Sequence, residues 1–351
     1  MSGRKVKVGI TIGDFNGIGP EIIMKTFNEP MMYNWCTPVL YGSSRILHYH
    51  KQFLHLDKFY YESITDLSQI NPKTLNVVEC WQEEVIINLG QPSQKAGECA
   101  LLALDEALKD LLAKKIDALV TAPVNKSLIK PKGKEFTGHT SYITQRCGLS
   151  ESVMLLISEE LRVGLVTEHI ALKEVAGQLS VKKIVAKLEI LHQSLHKDFG
   201  IMKPRIAVLS LNPHSGEGGL TGTEEKEIIL PAIQKAQESG ILAWGPYPAD
   251  GLFATGAYKK FDVLLAMYHD QGLVPFKFVA FEHGVNFTAG LPVIRTSPDH
   301  GTAYDLAGKN KANPSSFREA VLVAADIFRH RTDYEVYAAN PLKAKQLEQE
   351  E

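Results

Sequence analysis

Residues Phe261 to Lys277 read F-D-V-L-L-A-M-Y-H-D-Q-G-L-V-P-F-K, and the fold follows from how that stretch changes character halfway along. Val263, Leu264, Leu265, Ala266 and Met267 form a short unbroken apolar run, the pattern of a strand buried on both faces of a parallel sheet. Tyr268, His269, Asp270 and Gln271 then arrive together. The strand therefore delivers polar side chains at its C-terminal end, where open α/β sheets place their chemistry. Gly272 and Pro275 are expected to stop regular structure there, leaving Lys277 as a cation within reach of His269 and Asp270.

Two further apolar runs behave in the same way. Leu161 to Val166 leads into Thr167-Glu168-His169, and Arg205 to Leu211 leads into Asn212-Pro213-His214. A single sheet would carry His169, His214 and His269 at equivalent strand ends. Three neutral imidazoles suit a borderline divalent metal such as zinc, cobalt or nickel, and leave coordination positions for substrate oxygens. One such histidine alone is more often a core or surface residue; the shared position of three favours ligation. His192 and His196 lack the glutamate of an H-E-x-x-H site and flank the stripe of Ile184, Leu188, Leu191 and Leu195, so they read as a solvated helix margin.

Outside these runs, Val6 to Ile12 alternates as a strand, and Gly13 to Glu21 turns into a helix with Pro20 at its first position. The glycine spacing matches neither G-x-G-x-x-G nor a Walker loop, so structural turn and ligand-facing loop stay equally open. Leu101, Leu104, Leu108 and Leu111, widened by Leu102 and Leu112, place a helix from about Ala96. Ile116 to Val120 is the next strand, capped by T-A-P-V-N-K (121–126). The cluster F-T-G-H-T-S (136–141) precedes a helix, as an anion site or as ordinary capping. G-P-Y-P-A-D (245–250) is too rich in proline for a strand and is expected to present Asp250 in a rigid turn. Asn286 and Arg295, with Lys277, supply an amide and two cations suited to a phosphate or carboxylate. A helix from Phe317 to Phe328 closes the fold, and the charged tail from Leu342 to Glu351 is expected to fray.

The chain has 351 residues, enough for about two domains. A net charge of −2 favours neither a nucleic-acid backbone nor an anionic membrane, which leaves a small molecule as the default partner. Cys36, Cys80, Cys99 and Cys147 contain no C-x-x-C pair, which argues against a disulfide framework and fits a cytoplasmic protein. No apolar run reaches the ~18 residues of a membrane span.

Seven ordered motifs carry a family resemblance: G-D-F-N-G-I-G-P-E-I (13–22), T-A-P-V-N-K (121–126), G-H-T (138–140), L-N-P-H-S-G-E-G-G (211–219), G-P-Y-P-A-D (245–250), M-Y-H-D-Q-G-L-V-P-F-K (267–277) and R-T-S-P-D-H-G-T-A (295–303). Together the chain resembles the 4-hydroxythreonine-4-phosphate dehydrogenase family. The resemblance implies two α/β/α domains of the isocitrate/isopropylmalate dehydrogenase type, with the active site in the cleft between them. One domain would span residues 1–127 and 296–351 and face the nucleotide; the other, 128–295, would carry metal, substrate and dimer contacts. It implies NAD and a divalent metal (zinc, cobalt or magnesium) on His169, His214 and His269, in a homodimer where His269 serves the partner's site. His139, Thr140, Lys277, Asn286 and Arg295 would contact the phosphorylated substrate. The stretch from His300 to Lys309, through Asn313-Pro314, is similar to the nucleotide loop of β-decarboxylating dehydrogenases, which puts Asp305 on the adenosine ribose and Asn313 near the adenine, and favours NAD over NADP.

The expected reaction is oxidation of 4-phosphooxy-L-threonine to a β-keto acid that loses carbon dioxide, in pyridoxal phosphate biosynthesis. Asp270 is the candidate for orienting His269 or relaying a proton, and Asp250 the second choice. The rival readings are a dehydrogenase of a 4-phospho-sugar acid (D-threonate or D-erythronate), a phosphate acetyltransferase-like enzyme and a metabolite-binding protein. The chain departs from the family pattern at Phe15-Asn16, Glu168, Gly251 and Asn310-Lys311.

Overall fold

The computed structural model describes residues 4–131 and 136–339; the tail expected to fray lies outside them. Twelve strands follow one another as β1 (Val6–Thr11), β2 (Cys36–Gly42), β3 (Tyr61–Ile64), β4 (Leu75–Glu79), β5 (Ala118–Thr121), β6 (Val153–Ile157), β7 (Arg162–Leu165), β8 (Arg205–Leu209), β9 (Leu242–Tyr247), β10 (Val263–Ala266), β11 (Val285–Ala289) and β12 (Arg295–Pro298). The helices are α1 (Gly19–Phe27), α2 (Met32–Trp35), α3 (Ser44–Phe53), α4 (Gln94–Leu112), α5 (His139–Arg146), α6 (Val175–Gln178), α7 (Val181–Phe199), α8 (Leu230–Glu238), α9 (Ala249–Ala254), α10 (His269–Ala280) and α11 (Ser315–Ala339). All strands join one mixed sheet in the order β3-β4-β2-β1-β5-β12-β11-β6-β7-β10-β8-β9. The half from β3 to β12 is drawn from both ends of the chain and pairs in parallel; the half from β11 to β9 comes from the middle. Antiparallel pairing of β12 with β11, β11 with β6 and β6 with β7 joins the halves. The α/β reading of the sequence holds.

Strands β6 and β10 are buried along their whole length, as unbroken apolar runs require when helices cover both faces; β5 and the polar β12 are equally buried. The long α11 packs on β1, β5 and β12 and also on β11, so one helix braces both halves. The three runs that lead to histidines become β7, β10 and β8, which are neighbours and run parallel.

Four local expectations fail. Regular structure does not stop at Gly272: α10 starts at His269 and runs through Gly272 and Pro275 to Ala280. A Cβ on Gly272 would sit 2.7 Å from Val163 Cγ1, so the glycine lets the helix lie close on β7. Pro275 costs up to about 3 kcal/mol. Burial of Leu273 and Phe276 returns about 1.5–3 kcal/mol each, which outweighs it. Proline does not prevent β9 either. Pro246 lies within it, and β9 is an edge strand that pairs only with β8, so one ladder hydrogen bond fewer is tolerated. Asp250 consequently sits in the first turn of α9 rather than in a rigid turn. Finally, Leu102 and Leu112 are 43% and 42% exposed, and the α4 stripe is widened instead by Ala96, Ala100, Ala103 and Ala107. Small side chains bring the helix close to β1 and β2.

Candidate active site

The local fold around Arg295 sets the character of the site. β12 begins at Arg295, which is 3% exposed, and its guanidinium donates from Nε and Nη2 to Thr121 Oγ1 at 3.1 and 2.7 Å and from Nη1 to Thr288 Oγ1 at 3.4 Å and Thr140 Oγ1 at 3.5 Å. Three threonine hydroxyls hold its direction, yet among the described residues no carboxylate pairs with it. Burial alone lowers its affinity for the proton to about 9. A buried, uncompensated cation held by neutral groups is a site waiting for an anion.

A cavity of about 310 Å³ opens in front of it, lined by His139, Thr140, Lys277, Asn286 and Arg295 together with His169 and His269. The structure thus gathers all five residues expected to hold the phosphorylated substrate. His139 opens α5 behind Gly138 and meets the Phe136 ring edge-on at 5.5 Å. Withdrawal from water, reinforced by the Arg295 and Lys126 charges, holds its imidazole neutral well below its usual range. Lys277 is 3.7 Å from Asp299, whose own carboxyl is pushed up by burial and pulled back by that lysine. Asn286 Oδ1 is buried without a partner, open to a donor from a bound molecule.

His169 and His269 lie with ring centroids 5.7 Å apart. Asp270 accepts a 2.7 Å hydrogen bond from His269 Nδ1, which leaves Nε2 free as a donor of electrons. His214 lies elsewhere. It lines a second cavity of about 930 Å³ with Asp250 and Asp270, against Phe253, Tyr258 and Phe278. The three imidazoles therefore do not meet within one chain, and among the described residues no group of three His, Cys, Asp or Glu is placed to hold an ion. A three-histidine metal site does not fit a single chain.

His214 stands in an unusual backbone. Residues His214, Ser215, Gly216, Glu217 and Gly218 have φ of 51°, 52°, 78°, 44° and 69°, five left-handed positions in succession. Each non-glycine among them costs about 1–2 kcal/mol. The segment is pinned where it leaves β8: Glu225 Oε1 accepts from the backbone N–H of Leu211 and Asn212 at 2.8 and 2.7 Å. Asp305 is exposed, and Asn313 Oδ1 accepts from Ser315 N at 2.9 Å, capping α11; neither lines the two cavities.

Several residues of the site carried no role in the sequence reading. Lys126, exposed by area but with its ammonium disfavoured by partial burial, lines the first cavity beside His139, as does Glu168, whose carboxyl is pushed up by burial. The T-A-P-V-N-K motif contained Lys126, and Glu168 was a marked departure, but only the fold turns them inward. Thr121 and Thr288 are equally invisible in one dimension, because their function is to hold Arg295 from two other strands.

Comparison with known proteins gives the family of the chain. Residues 34–324 match the family described as pyridoxal phosphate biosynthetic protein PdxA. A protein named 4-hydroxythreonine-4-phosphate dehydrogenase from Bacteroides thetaiotaomicron is 48% identical over 99% of this chain and 96% of its own length. Crystal structures carrying the same name, from Klebsiella pneumoniae and Burkholderia phymatum, superpose with TM-scores of 0.80 and 0.78 at 33% and 36% identity, covering 93% and 92% of this chain and 99% and 98% of theirs. Sequence motifs, fold and the arrangement around Arg295 converge, and the chain belongs to the pyridoxal phosphate biosynthetic protein PdxA family.

Proposed function

We propose that the chain oxidises the secondary alcohol of 4-hydroxythreonine 4-phosphate with NAD, giving a β-keto acid that loses carbon dioxide to leave 3-amino-2-oxopropyl phosphate. The observation that carries this reading is the buried, carboxylate-free guanidinium of Arg295 in a cavity shared with Lys277, His139, Thr140 and Asn286. Arg295 and Lys277 would neutralise the phosphate, Thr140 and Asn286 would orient it, and neutral His139 would donate a hydrogen bond without adding charge. Asp270 would hold His269 in one tautomer, and Lys126 would exchange protons with the reacting end of the substrate; Asp250, which lines the other cavity with His214, would reach that substrate only across the dimer. Asp305 and Asn313 would meet the nucleotide. A divalent metal, when bound, would polarise the substrate oxygen.

The resemblance implies that His269 serves the partner's site; with His269 beside His169 and His214 apart in the second cavity, the reading instead places the metal between two copies of the chain, with His214 supplied by the other copy. The outer face of α10 supports a homodimer: Val274 and Phe278 are 64% and 92% exposed, and Phe281 just beyond the helix is 78% exposed, an apolar row that water disfavours. The two domains would be the two halves of the sheet, divided at the β12–β11 pairing. No described helix is long and apolar enough to cross a membrane, and a cytoplasmic location is part of the same proposal. The test is NADH formation from 4-phosphooxy-L-threonine and from D-threonate and D-erythronate 4-phosphates side by side. A higher kcat/KM for either sugar acid would overturn the substrate assignment.

A further inference from the structure

The loop that carries Asp305 is tied to the turn after β1 by a phenol. Tyr304 Oη donates a 2.5 Å hydrogen bond to Asp14 Oδ2, and Asp14, 1% exposed, is the aspartate of the glycine-rich turn after β1. Asp14 Oδ1 accepts from Asn16 N at 2.9 Å, so each carboxylate oxygen has a separate donor. The side chains of Asn125 and Thr302 also lie beside the Tyr304 hydroxyl. Three loops thus meet at one oxygen: those following β1, β5 and β12, which are neighbouring parallel strands. The backbone closes the same seam. Ile18 N donates to Thr302 O at 3.0 Å, and a Cβ on Gly17 would approach Thr302 O to 2.7 Å, so only glycine lets the strands of this seam touch.

We infer that Tyr304 and Asp14 form a clasp that positions the 301–310 loop for the nucleotide, and that Tyr304 is a positioning residue for cofactor binding rather than a group that touches substrate. This rests on the reading of that loop as the NAD loop. The turn after β1, left open by its sequence as structural or ligand-facing, then has a definite task. It supplies the buried acceptor that fixes a loop 290 positions away in the chain. The neighbouring side chain, Asp305, is exposed on the same turn, where it depends on the clasp for its direction. Gly301, at the start of the loop, lines the first cavity, whereas Tyr304 and Asp14 do not, so a change at the clasp leaves the lining of that cavity in place.

The experiment compares the parent with Tyr304→Phe, Asp14→Leu, Asp14→Asn and Asp305→Asn, measuring KM for NAD, KM for 4-phosphooxy-L-threonine and kcat, with NAD binding followed by calorimetry. Tyr304→Phe is expected to raise KM and Kd for NAD about tenfold, with the substrate KM and kcat moving far less. Asp14→Leu is expected to exceed that effect, and Asp14→Asn to fall between it and the parent, because the amide can donate to the phenol oxygen. Tyr304→Phe removes a single oxygen and carries the test if Asp14→Leu does not fold. An unchanged NAD affinity in Tyr304→Phe while Asp305→Asn weakens it overturns the clasp and leaves the nucleotide loop standing. Equal rises in both KM values would also overturn it, by showing a general loosening. If Asp305→Asn has no effect on NAD either, the loop is not the nucleotide site and both readings fall.

Discussion

Two cavities separate the histidines of this protein, and they are built on opposite principles. The one in front of Arg295 is small, about 310 Å³, and lined by cations and hydroxyls held by several strands; the one around His214 is about 930 Å³ and walled by Phe253, Tyr258, Val274 and Phe278. The first is finished within one chain, because its cation is already oriented by three threonines. The second exposes apolar side chains and two carboxylates, Asp250 and Asp270, that no described residue of the same chain covers. On the proposed reading, phosphate recognition is a property of the monomer, whereas the metal chemistry belongs to an assembly.

The strongest way to break that contrast is at His214. His214→Asn tolerates the left-handed backbone that alanine would strain, and removes the imidazole. Turnover is expected to fall by about three orders of magnitude or more, with bound metal lost, while the circular dichroism spectrum persists. Full activity in a preparation shown metal-free by elemental analysis would end the assembly half of the comparison. Next in size is Arg295→Met, which should cost about 2–3 kcal/mol of substrate binding, or about a hundredfold in KM for the phosphorylated substrate. An unchanged KM would mean that the small cavity is not the phosphate site.

Phe278→Asp tests the surface between copies. A charge on the most exposed position of the α10 row should weaken association, lowering specific activity about tenfold in dilute solution and restoring it as protein concentration rises. Sedimentation that showed one unaltered species in parent and variant would remove α10 from the interface. The smallest effect is expected at Asp299. Its 3.7 Å contact with a 42% exposed Lys277 competes with the substrate for that ammonium, so Asp299→Asn should lower the substrate KM about two- to threefold. A rise instead would show that Asp299 holds Lys277 in its binding position.

The sequence by itself determined the strands and their polar ends. Unbroken apolar runs such as Val263 to Met267 can satisfy water exclusion only inside a sheet covered on both faces, and a histidine two or three residues beyond each run is a local fact. It also determined the candidates for phosphate binding, because guanidinium, ammonium, amide and hydroxyl groups announce their chemistry wherever they stand. What only the tertiary structure decided depends on neighbours distant in the chain. Pro275 remains in a helix because the apolar face of α10 is buried on β7 and β10, and Pro246 remains in a strand because β9 is an edge. Arg295 is proposed as an anion site because no carboxylate among the described residues pairs with it, and an absence of partners has no sequence pattern. Tyr304 finds Asp14 for the same reason in reverse: a hydrogen bond is set by distance in space, and the fold brings together residues that spacing along the chain cannot pair.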